Sequence, residues 1–183
     1  MHREIGAFLL TTEISCVTIN KKEIGAYMKN TTLCYIENDG KYLMLHRSSK
    51  KNDGSQGKWM GIGGHFEEGE SPYDCVIREV KEEAGLDLIA PSYRAIVTFA
   101  SDEYESEQMH LFTCKEFTGE IGACDEGELS WIDKKDVLSL NMWNGDLVFL
   151  KLLETEDSFF SLKLTYKGEE LKEYYINGKK CAD

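Results

Sequence analysis

The chain has 183 residues, 42% of them hydrophobic, and a formal net charge of −12. This length fits one domain with a packed core, and the absence of any run of 18 apolar residues excludes an obvious membrane helix. The acidic balance argues against a protein that coats DNA or RNA, which needs a basic face. A small nucleotide stays open as a substrate, because a metal ion can mediate between two sets of negative charge. The six cysteines include no Cys-x-x-Cys pair, which disfavours a zinc site. Their even number is compatible with disulfides, but a chain of this length without a signal peptide favours a cytosolic protein with free thiols.

Residues 1–27 show a weaker pattern than the rest of the chain. They lack the cationic start, long apolar run and cleavage site of a signal peptide. One interpretation is an extension upstream of a natural start at Met28, and the other is an extra hairpin or strand around residues 14–19. We therefore divide the chain into an N-terminal extension, residues 1–27, and one domain, residues 28–183.

The predicted elements of this domain begin with a hairpin. Asn38-Asp39-Gly40 is a turn signal between strand-like runs at 32–37 and 42–46. A polar loop follows, then a glycine-interrupted strand from Trp59 and a glutamate-rich helix. Further strands are predicted at 93–100, 108–117, 129–132, 159–166 and 173–176, and further helices at 134–139 and 146–155.

The glutamate-rich helix has clear boundary signals. Ser71 is a candidate N-cap, Pro72 fits the first helical position, and Asp74 lies near the positive end of the helix dipole. Gly85 is placed to end the helix. These signals predict a helix from Pro72 to Ala84.

Helical periodicity separates an apolar arc of this helix from an acidic one. The arc predicted to face the core contains Tyr73, Val76, Ile77, Val80 and Ala84. The adjacent arc carries Glu79, Glu82 and Glu83, whose spacing makes them repel. Arg78 and Lys81 are expected to point elsewhere. A hard cation with oxygen ligands would turn this repulsion into binding.

A solvated acidic face is the commoner meaning of clustered glutamates, and the helix alone leaves both interpretations open. The preceding loop favours a metal site. Its glycines, Gly61, Gly63 and Gly64, allow close backbone approach. Glu70 can pair with Arg78 and tie the loop to the helix.

The segment from Gly64 to Leu86 resembles the signature of the Nudix family. Its fixed positions are Gly64, Glu70, Arg78, Glu79, Val80, Glu82, Glu83, Gly85 and Leu86. Every position is occupied at the required spacing, so a chance match is very improbable. The resemblance implies an α/β protein with the Nudix-type α/β/α sandwich around a mixed β-sheet.

The resemblance also implies hydrolysis of a nucleoside diphosphate linked to another group, with Mg²⁺ or Mn²⁺ as cofactor. The implied metal ligands are Glu79, Glu82, Glu83 and the backbone carbonyl of Gly63 or Gly64. One of the three glutamates would also activate water. Arg78 would orient Glu79, and Glu70 would hold Arg78, which makes both candidate catalytic residues.

Outside this signature the chain resembles the MutT-type branch, which removes oxidised purine nucleoside triphosphates such as 8-oxo-dGTP. Asp125-Glu126 matches an acidic pair in that branch, so Glu126 is a further candidate metal ligand or base. Residues 142–146 resemble a segment whose tryptophan stacks on the base and whose acids read its edge. By that match Trp143 and Asp146 bind the base.

Two departures leave the exact substrate open. Met60 stands where that branch has a base-reading asparagine, and Gly145 replaces the first of two paired acids. Methionine packs against a base but offers no donor. Met60 is kept as a candidate substrate contact together with Arg47, for which surface solvation is the alternative, and Thr32.

The leading hypothesis is a metal-dependent diphosphatase that cleaves a purine nucleoside triphosphate to the monophosphate and pyrophosphate. The alternatives are a Nudix hydrolase for a nucleotide sugar or dinucleotide and a non-catalytic sensor of the same fold. The complete signature disfavours the sensor. We expect a small nucleotide as partner, no nucleic-acid polymer, no membrane, and a monomer or small homo-oligomer in the cytoplasm.

Overall fold

The structure is a computed structural model that describes residues 28–48 and 54–181, so the predicted extension at 1–27 lies outside the described residues. The strands are Lys29–Asn38 (β1), Lys41–Arg47 (β2), Trp59–Met60 (β3), Asp87–Ile89 (β4), Ser92–Ser101 (β5), Glu107–Cys114 (β6), Glu116–Thr118 (β7), Gly127–Asp133 (β8), Phe160–Lys167 (β9), Glu170–Ile176 (β10) and Lys179–Lys180 (β11). The helices are Pro72–Ala84 (α1), Lys134–Val137 (α2) and Asn144–Thr155 (α3). None of the helices in the described ranges is long and apolar enough to span a membrane.

A mixed nine-stranded sheet forms the centre of the described fold. Its order is β11-β10-β9-β5-β6-β1-β2-β3, and β8 pairs with β2. The β1–β6 and β5–β9 pairs are parallel, whereas the other neighbours are antiparallel. The strand predicted at 108–117 is wrong in one respect: it is two strands, because β7 leaves this sheet and pairs with β4.

The first hairpin follows its local sequence signal. Asp39 and Gly40 both have positive φ angles, 48° and 73°, and they join β1 to β2. Two successive positive φ angles suit the right-handed twist of the paired strands. The predicted hairpin is therefore confirmed, and it fixes the register of the two strands that later carry Thr32 and Arg47.

Alternating side chains of β1 enter two separate cores. Leu33 and Tyr35 pack in a cluster with Phe149 of α3. Cys34 and Ile36 pack in a second cluster, which includes Val76, Val80 and Ala84 of α1. Since successive strand residues point to opposite faces, the sheet is covered by α3 on one side and α1 on the other. The predicted α/β/α sandwich is confirmed.

The buried stripe of α1 differs from the predicted arc. Val76, Val80 and Ala84 are fully buried as expected, but Tyr73 and Ile77 are 45% and 43% exposed. Cys75 is buried instead, because the helix is rotated so that this thiol lies 3.4 Å from the hydroxyl of Thr32, beneath the glycine-rich loop. The rotation brings the acidic arc over the end of β1.

Candidate active site

The glycine-rich loop lies directly against β1. Backbone hydrogen bonds run from Thr32 to Gly64 (2.8 Å) and from Cys34 to Ile62 (2.7 Å), with the return bond from Ile62 to Cys34 at 3.0 Å. A Cβ atom at Gly63 would lie 2.2 Å from the carbonyl oxygen of Thr32, far inside van der Waals contact. Glycine is therefore required for the loop to pair with the strand.

The ends of α1 are fixed as the sequence predicts. Ser71 and Asp74 form a capping box, with reciprocal bonds between each side chain and the other residue's backbone N–H. Gly85 ends the helix with a φ of 75°, and its N–H donates to the carbonyl of Lys81. These caps fix where the helix begins and ends, and hence which turn carries each glutamate.

Arg78 links the loop to the acidic arc. Its guanidinium donates two hydrogen bonds to Glu70 (2.6 and 2.9 Å), one to Glu79 (2.9 Å) and one to Glu82 (3.2 Å). A further bond reaches the carbonyl of His65 at 3.0 Å. Hydrogen bonds from Arg78 lower the pKa of Glu70 to about 2. The expectation that Arg78 points away from the acidic arc is wrong, because its planar fork of donors satisfies several carboxylates at once.

Four carboxylates from three parts of the chain meet at one pocket of about 360 Å³, the fourth being that of Glu107 on β6. Its lining includes Glu79, Glu83, Glu126, Gly63, Gly64, Arg47 and Thr32. The N–H of Gly63 donates to Glu83 at 3.3 Å, and Gly64 lies against the carboxylate of Glu79. Glu82 does not line this pocket, and its side chain is 61% exposed.

The carboxylate pocket holds more negative charge than its cations offset. Burial raises the pKa of Glu83 to about 8, and the charges of Glu126 and Glu79 add to the rise. Arg47 contacts Glu126 at 2.8 Å, and Arg78 contacts Glu79. In this state, no three acidic, histidine or cysteine side chains of the described residues stand at metal-coordinating positions.

The donor set nevertheless fits a hard divalent cation. Carboxylates and a backbone carbonyl are the oxygen donors that Mg²⁺ and Mn²⁺ accept. The crowding of Glu83 by two other acids is the electrostatic condition that a bound cation relieves. Glu79, Glu83 and Glu126 are the residues that would hold it, once Glu126 exchanges its contact with Arg47.

An aromatic pocket of about 220 Å³ adjoins the carboxylate pocket. Met60, Trp143 and Asp146 line it together with Phe99, Tyr104, Met109 and Tyr166. Trp143 is fixed by a hydrogen bond from its indole N–H to Ser55 (3.2 Å) and by Lys58, which lies 4.2 Å from the ring centre. Leu33, Ser55, Met60, Glu107 and Met109 line both pockets, so the two form one continuous cleft.

The aromatic pocket explains why a glycine stands at position 145. A Cβ atom there would lie 2.5 Å from Leu164 and 2.7 Å from the hydroxyl of Tyr166. The backbone N–H of Gly145 donates to that hydroxyl. An acidic side chain would fit here only if Leu164 and Tyr166 moved aside, and Asp146 is the buried carboxyl of this pocket, 6% exposed.

Comparison with known proteins agrees with this geometry. The model of the NUDIX domain matches residues 27–153, well over half of the chain. The chain belongs to the Nudix family. It is 32% identical over 157 residues to an uncharacterized Nudix hydrolase of Bacillus subtilis, covering 82% of this chain and 96% of that protein.

Two further relatives belong to the MutT-like part of the family. An oxidized purine nucleoside triphosphate hydrolase of Danio rerio is 28% identical over 132 residues, covering 72% of this chain and 83% of that protein. The crystal structure of a mutator MutT protein from Bacillus halodurans superposes with a TM-score of 0.74 at 27% identity, covering 83% of this chain and 99% of that one. The protein is accordingly a Nudix hydrolase with a MutT-like fold.

Several residues of the cleft carried no recognisable sequence signal. Ser55, Phe99, Tyr104, Glu107 and Met109 line it, although they lie outside the Nudix signature. The positions of Phe99, Glu107 and Met109 follow from the parallel pairing of β1 with β6 and the antiparallel pairing of β5 with β6. Such long-range pairings leave no fixed spacing in the sequence.

The buried carboxyl of Asp146 gives this Nudix hydrolase a testable pH dependence. Burial raises the pKa of Asp146 to about 7 from an ordinary value of 3.8, although the charge of Lys58 opposes the rise. The folded state therefore holds this proton more tightly than the unfolded state does. The resulting stability is fully present below pH ~4 and is lost as the pH rises to about 7, on the order of 4 kcal/mol in all.

The variant Asp146→Asn has no carboxyl at this position, so it should not show this loss of folding stability with rising pH. Its free energy of unfolding relative to the wild type should increase as the pH rises from about 4 to about 7, as measured by urea denaturation across that range. The neighbouring groups Lys58, Glu107, Tyr35 and Tyr166 are present in both proteins, so the comparison isolates the carboxyl of Asp146. A difference between the two proteins that does not change with pH would contradict the raised pKa.

Proposed function

We propose that this Nudix hydrolase is a metal-dependent diphosphatase that converts purine nucleoside triphosphates, including oxidised ones, to the monophosphate and pyrophosphate. The single observation that carries the proposal is the continuous cleft, in which a carboxylate pocket adjoins an aromatic one. A nucleoside triphosphate has the matching division into a charged chain and a flat base. The name of the Danio rerio relative supports a purine triphosphate as the substrate.

The carboxylate pocket is the proposed phosphate end. A bound Mg²⁺ or Mn²⁺ supplies neutralisation of phosphate oxygens and activation of water. Glu79, Glu83 and Glu126 would hold the cation, and one of them would accept the proton of the attacking water. Arg78 keeps Glu79 in place, because it is itself fixed by two hydrogen bonds to Glu70.

Arg47 has a second role at this end of the cleft. Its guanidinium contacts Glu126 at 2.8 Å and lines the carboxylate pocket. A phosphate oxygen is a matched acceptor for a guanidinium. Binding of the triphosphate would therefore draw Arg47 from Glu126, and that carboxylate could then hold the cation or accept a proton from water.

The aromatic pocket is the proposed base end. Lys58 lies over the ring of Trp143, and Ser55 accepts a hydrogen bond from its indole N–H. The ring is thereby fixed in the pocket wall, where a base can stack on it. Asp146 provides one polar contact, as a donor when protonated and an acceptor when ionised. Met60 contributes packing without a donor, so the discrimination among purine bases is expected to be modest.

Cellular location is part of the same proposal. The described cysteines, Cys34, Cys75, Cys114, Cys124 and Cys181, all have free thiols. Free thiols are usual in the reducing cytoplasm, where nucleoside triphosphates are made and used. We therefore place this activity in the cytoplasm.

A substrate panel tests the proposal. The protein with Mg²⁺ is assayed against 8-oxo-dGTP, dGTP, 2-hydroxy-dATP, ADP-ribose and UDP-glucose, and kcat/KM is measured for each. The kcat/KM values of the purine triphosphates should exceed those of ADP-ribose and UDP-glucose by about tenfold or more. Only the triphosphates place a triphosphate in one pocket and a purine base in the other. Pyrophosphate, not orthophosphate, should be the released product.

The same panel separates the two parts of the proposal. Faster turnover of ADP-ribose or UDP-glucose would reject the triphosphate substrate and favour the nucleotide-sugar or dinucleotide alternative. Equal values for 8-oxo-dGTP and dGTP would show that the aromatic pocket does not distinguish oxidised bases and would leave the diphosphatase activity standing.

A further inference from the structure

Five residues line both pockets and form a shared wall between them. It consists of Leu33, Ser55, Met60, Glu107 and Met109. Of these side chains, Ser55 and Glu107 are polar, and the hydroxyl of Ser55 already accepts the hydrogen bond from Trp143. Glu107 is thus the charged group at the junction between the phosphate end and the base end.

The position of Glu107 is fixed by the sheet. It is the first residue of β6, opposite Lys29 of β1 and Phe99 of β5. The hydroxyl of Thr31, a residue that is 5% exposed, donates a hydrogen bond to Oε1 of Glu107. The other carboxylate oxygen of Glu107, Oε2, has no hydrogen-bond donor among the described residues. One acceptor is therefore held in place and one is left for a ligand.

The charge of Glu107 is unfavourable in a plain phosphate site. The adjoining pocket already contains Glu79, Glu83 and Glu126. A further carboxylate repels a polyphosphate, and this repulsion costs affinity unless the carboxylate makes a compensating contact. A ligand group that donates hydrogen bonds provides such a contact.

The sugar of a nucleotide has the required chemistry. When the base lies in the aromatic pocket and the phosphates lie in the carboxylate pocket, the sugar must lie along the shared wall. Sugar hydroxyls donate to a carboxylate, and such bonds to an ionised acceptor are the stronger kind. We propose that Glu107 accepts a hydrogen bond from a sugar hydroxyl and makes the enzyme select for it. This inference rests on the proposed nucleotide substrate.

Nucleotides that differ only in the sugar test the inference without any mutation. GTP has both the 2′- and 3′-hydroxyls, dGTP has the 3′-hydroxyl alone, and 2′,3′-dideoxy-GTP has neither. The wild-type enzyme should hydrolyse the dideoxy compound with a kcat/KM about tenfold or more below that of the better of the other two. Comparison of GTP with dGTP then identifies which hydroxyl is bound.

Two variants connect this selectivity to the carboxylate. In Glu107→Leu the ratio between hydroxylated and dideoxy substrates should fall to near one, whereas Glu107→Gln, which keeps a carbonyl acceptor, should retain part of it. Thr31→Val is the matched control, because it removes the internal hydrogen bond and leaves the carboxylate. It should keep the preference for a hydroxyl.

The outcomes are distinguishable from failure of the proposed function. Equal kcat/KM for all three guanosine nucleotides in the wild type, or an undiminished ratio in Glu107→Leu, would overturn the role of Glu107 while the diphosphatase proposal stood. Absence of hydrolysis with every nucleoside triphosphate would overturn both. If Glu107→Leu does not fold, the wild-type ratio together with Glu107→Gln still decides.

Discussion

Replacing Glu83 by glutamine is expected to lower kcat by about 10²–10⁴-fold while the fold stays intact. Glu83 is enclosed in the carboxylate pocket, and Gly63 donates to its side chain. Glutamine has the same shape and can still accept that hydrogen bond. It lacks the negative charge, so it is a much weaker metal ligand and cannot act as a base. Loss of one charge among three carboxylates should not reduce stability.

Initial rates with Mg²⁺ and a calorimetric Mn²⁺ titration of the same variant check this result. Glu68→Gln is the matched control, because Glu68 is exposed and lies outside the pocket lining. Its rates should equal those of the wild type. Undiminished turnover and Mn²⁺ affinity in Glu83→Gln would reject the assignment of this pocket as the metal site.

Glu82→Gln tests the one signature glutamate that does not line the pocket. Glu82 contacts Arg78 and is largely exposed. If it acts only through Arg78, the loss of kcat should be about tenfold or less, because Arg78 keeps its bonds to Glu70 and Glu79. A loss as large as that of Glu83→Gln would instead support the metal-ligand role implied by the family signature.

Gly63→Ala is expected to destabilise the fold by about 2–4 kcal/mol and to reduce activity at the same time. The added Cβ atom would lie 2.2 Å from the backbone oxygen of Thr32 and 2.7 Å from its carbonyl carbon. A backbone obstacle cannot rotate away as a side chain does. The loop would have to leave β1, and the N–H that Gly63 donates to Glu83 would move with it.

Gly122→Ala provides the control for this substitution. An added Cβ at Gly122 meets no heavy atom within 4 Å, and Gly122 lies in an exposed loop. Its free energy of unfolding, measured by urea denaturation, should stay within about 0.5 kcal/mol of that of the wild type. Equal midpoints for the two variants would show that the loop does not depend on its close contact with β1.

The parts of the structure that sequence predicted well are encoded by neighbouring residues. The cap at Ser71, the helix end at Gly85 and the turn at Asp39-Gly40 each depend on the conformation of a few consecutive residues. The Nudix signature is local for the same reason, since loop and helix are continuous in the chain. Local chemistry therefore identified the carboxylate arc, the hairpin and the family.

The parts that sequence missed depend on distant segments. The hydrogen bond between Thr31 and Glu107 joins residues 76 positions apart, through the parallel pairing of β1 with β6. The direction of Arg78 depends on where the loop places Glu70, and the exposure of Ile77 depends on a rotation of α1 that no periodicity specifies. Tertiary packing, not local preference, decides these features.

The packing around Gly145 also constrains the order in which this cleft can change. A single substitution to aspartate would drive the new side chain into Leu164 and the hydroxyl of Tyr166. Leu164 and Tyr166 must shift to make room, and a smaller residue at position 164 would remove core contacts. An acid at position 145 therefore depends on the residues at positions 164 and 166, which lie about 20 residues away in the sequence.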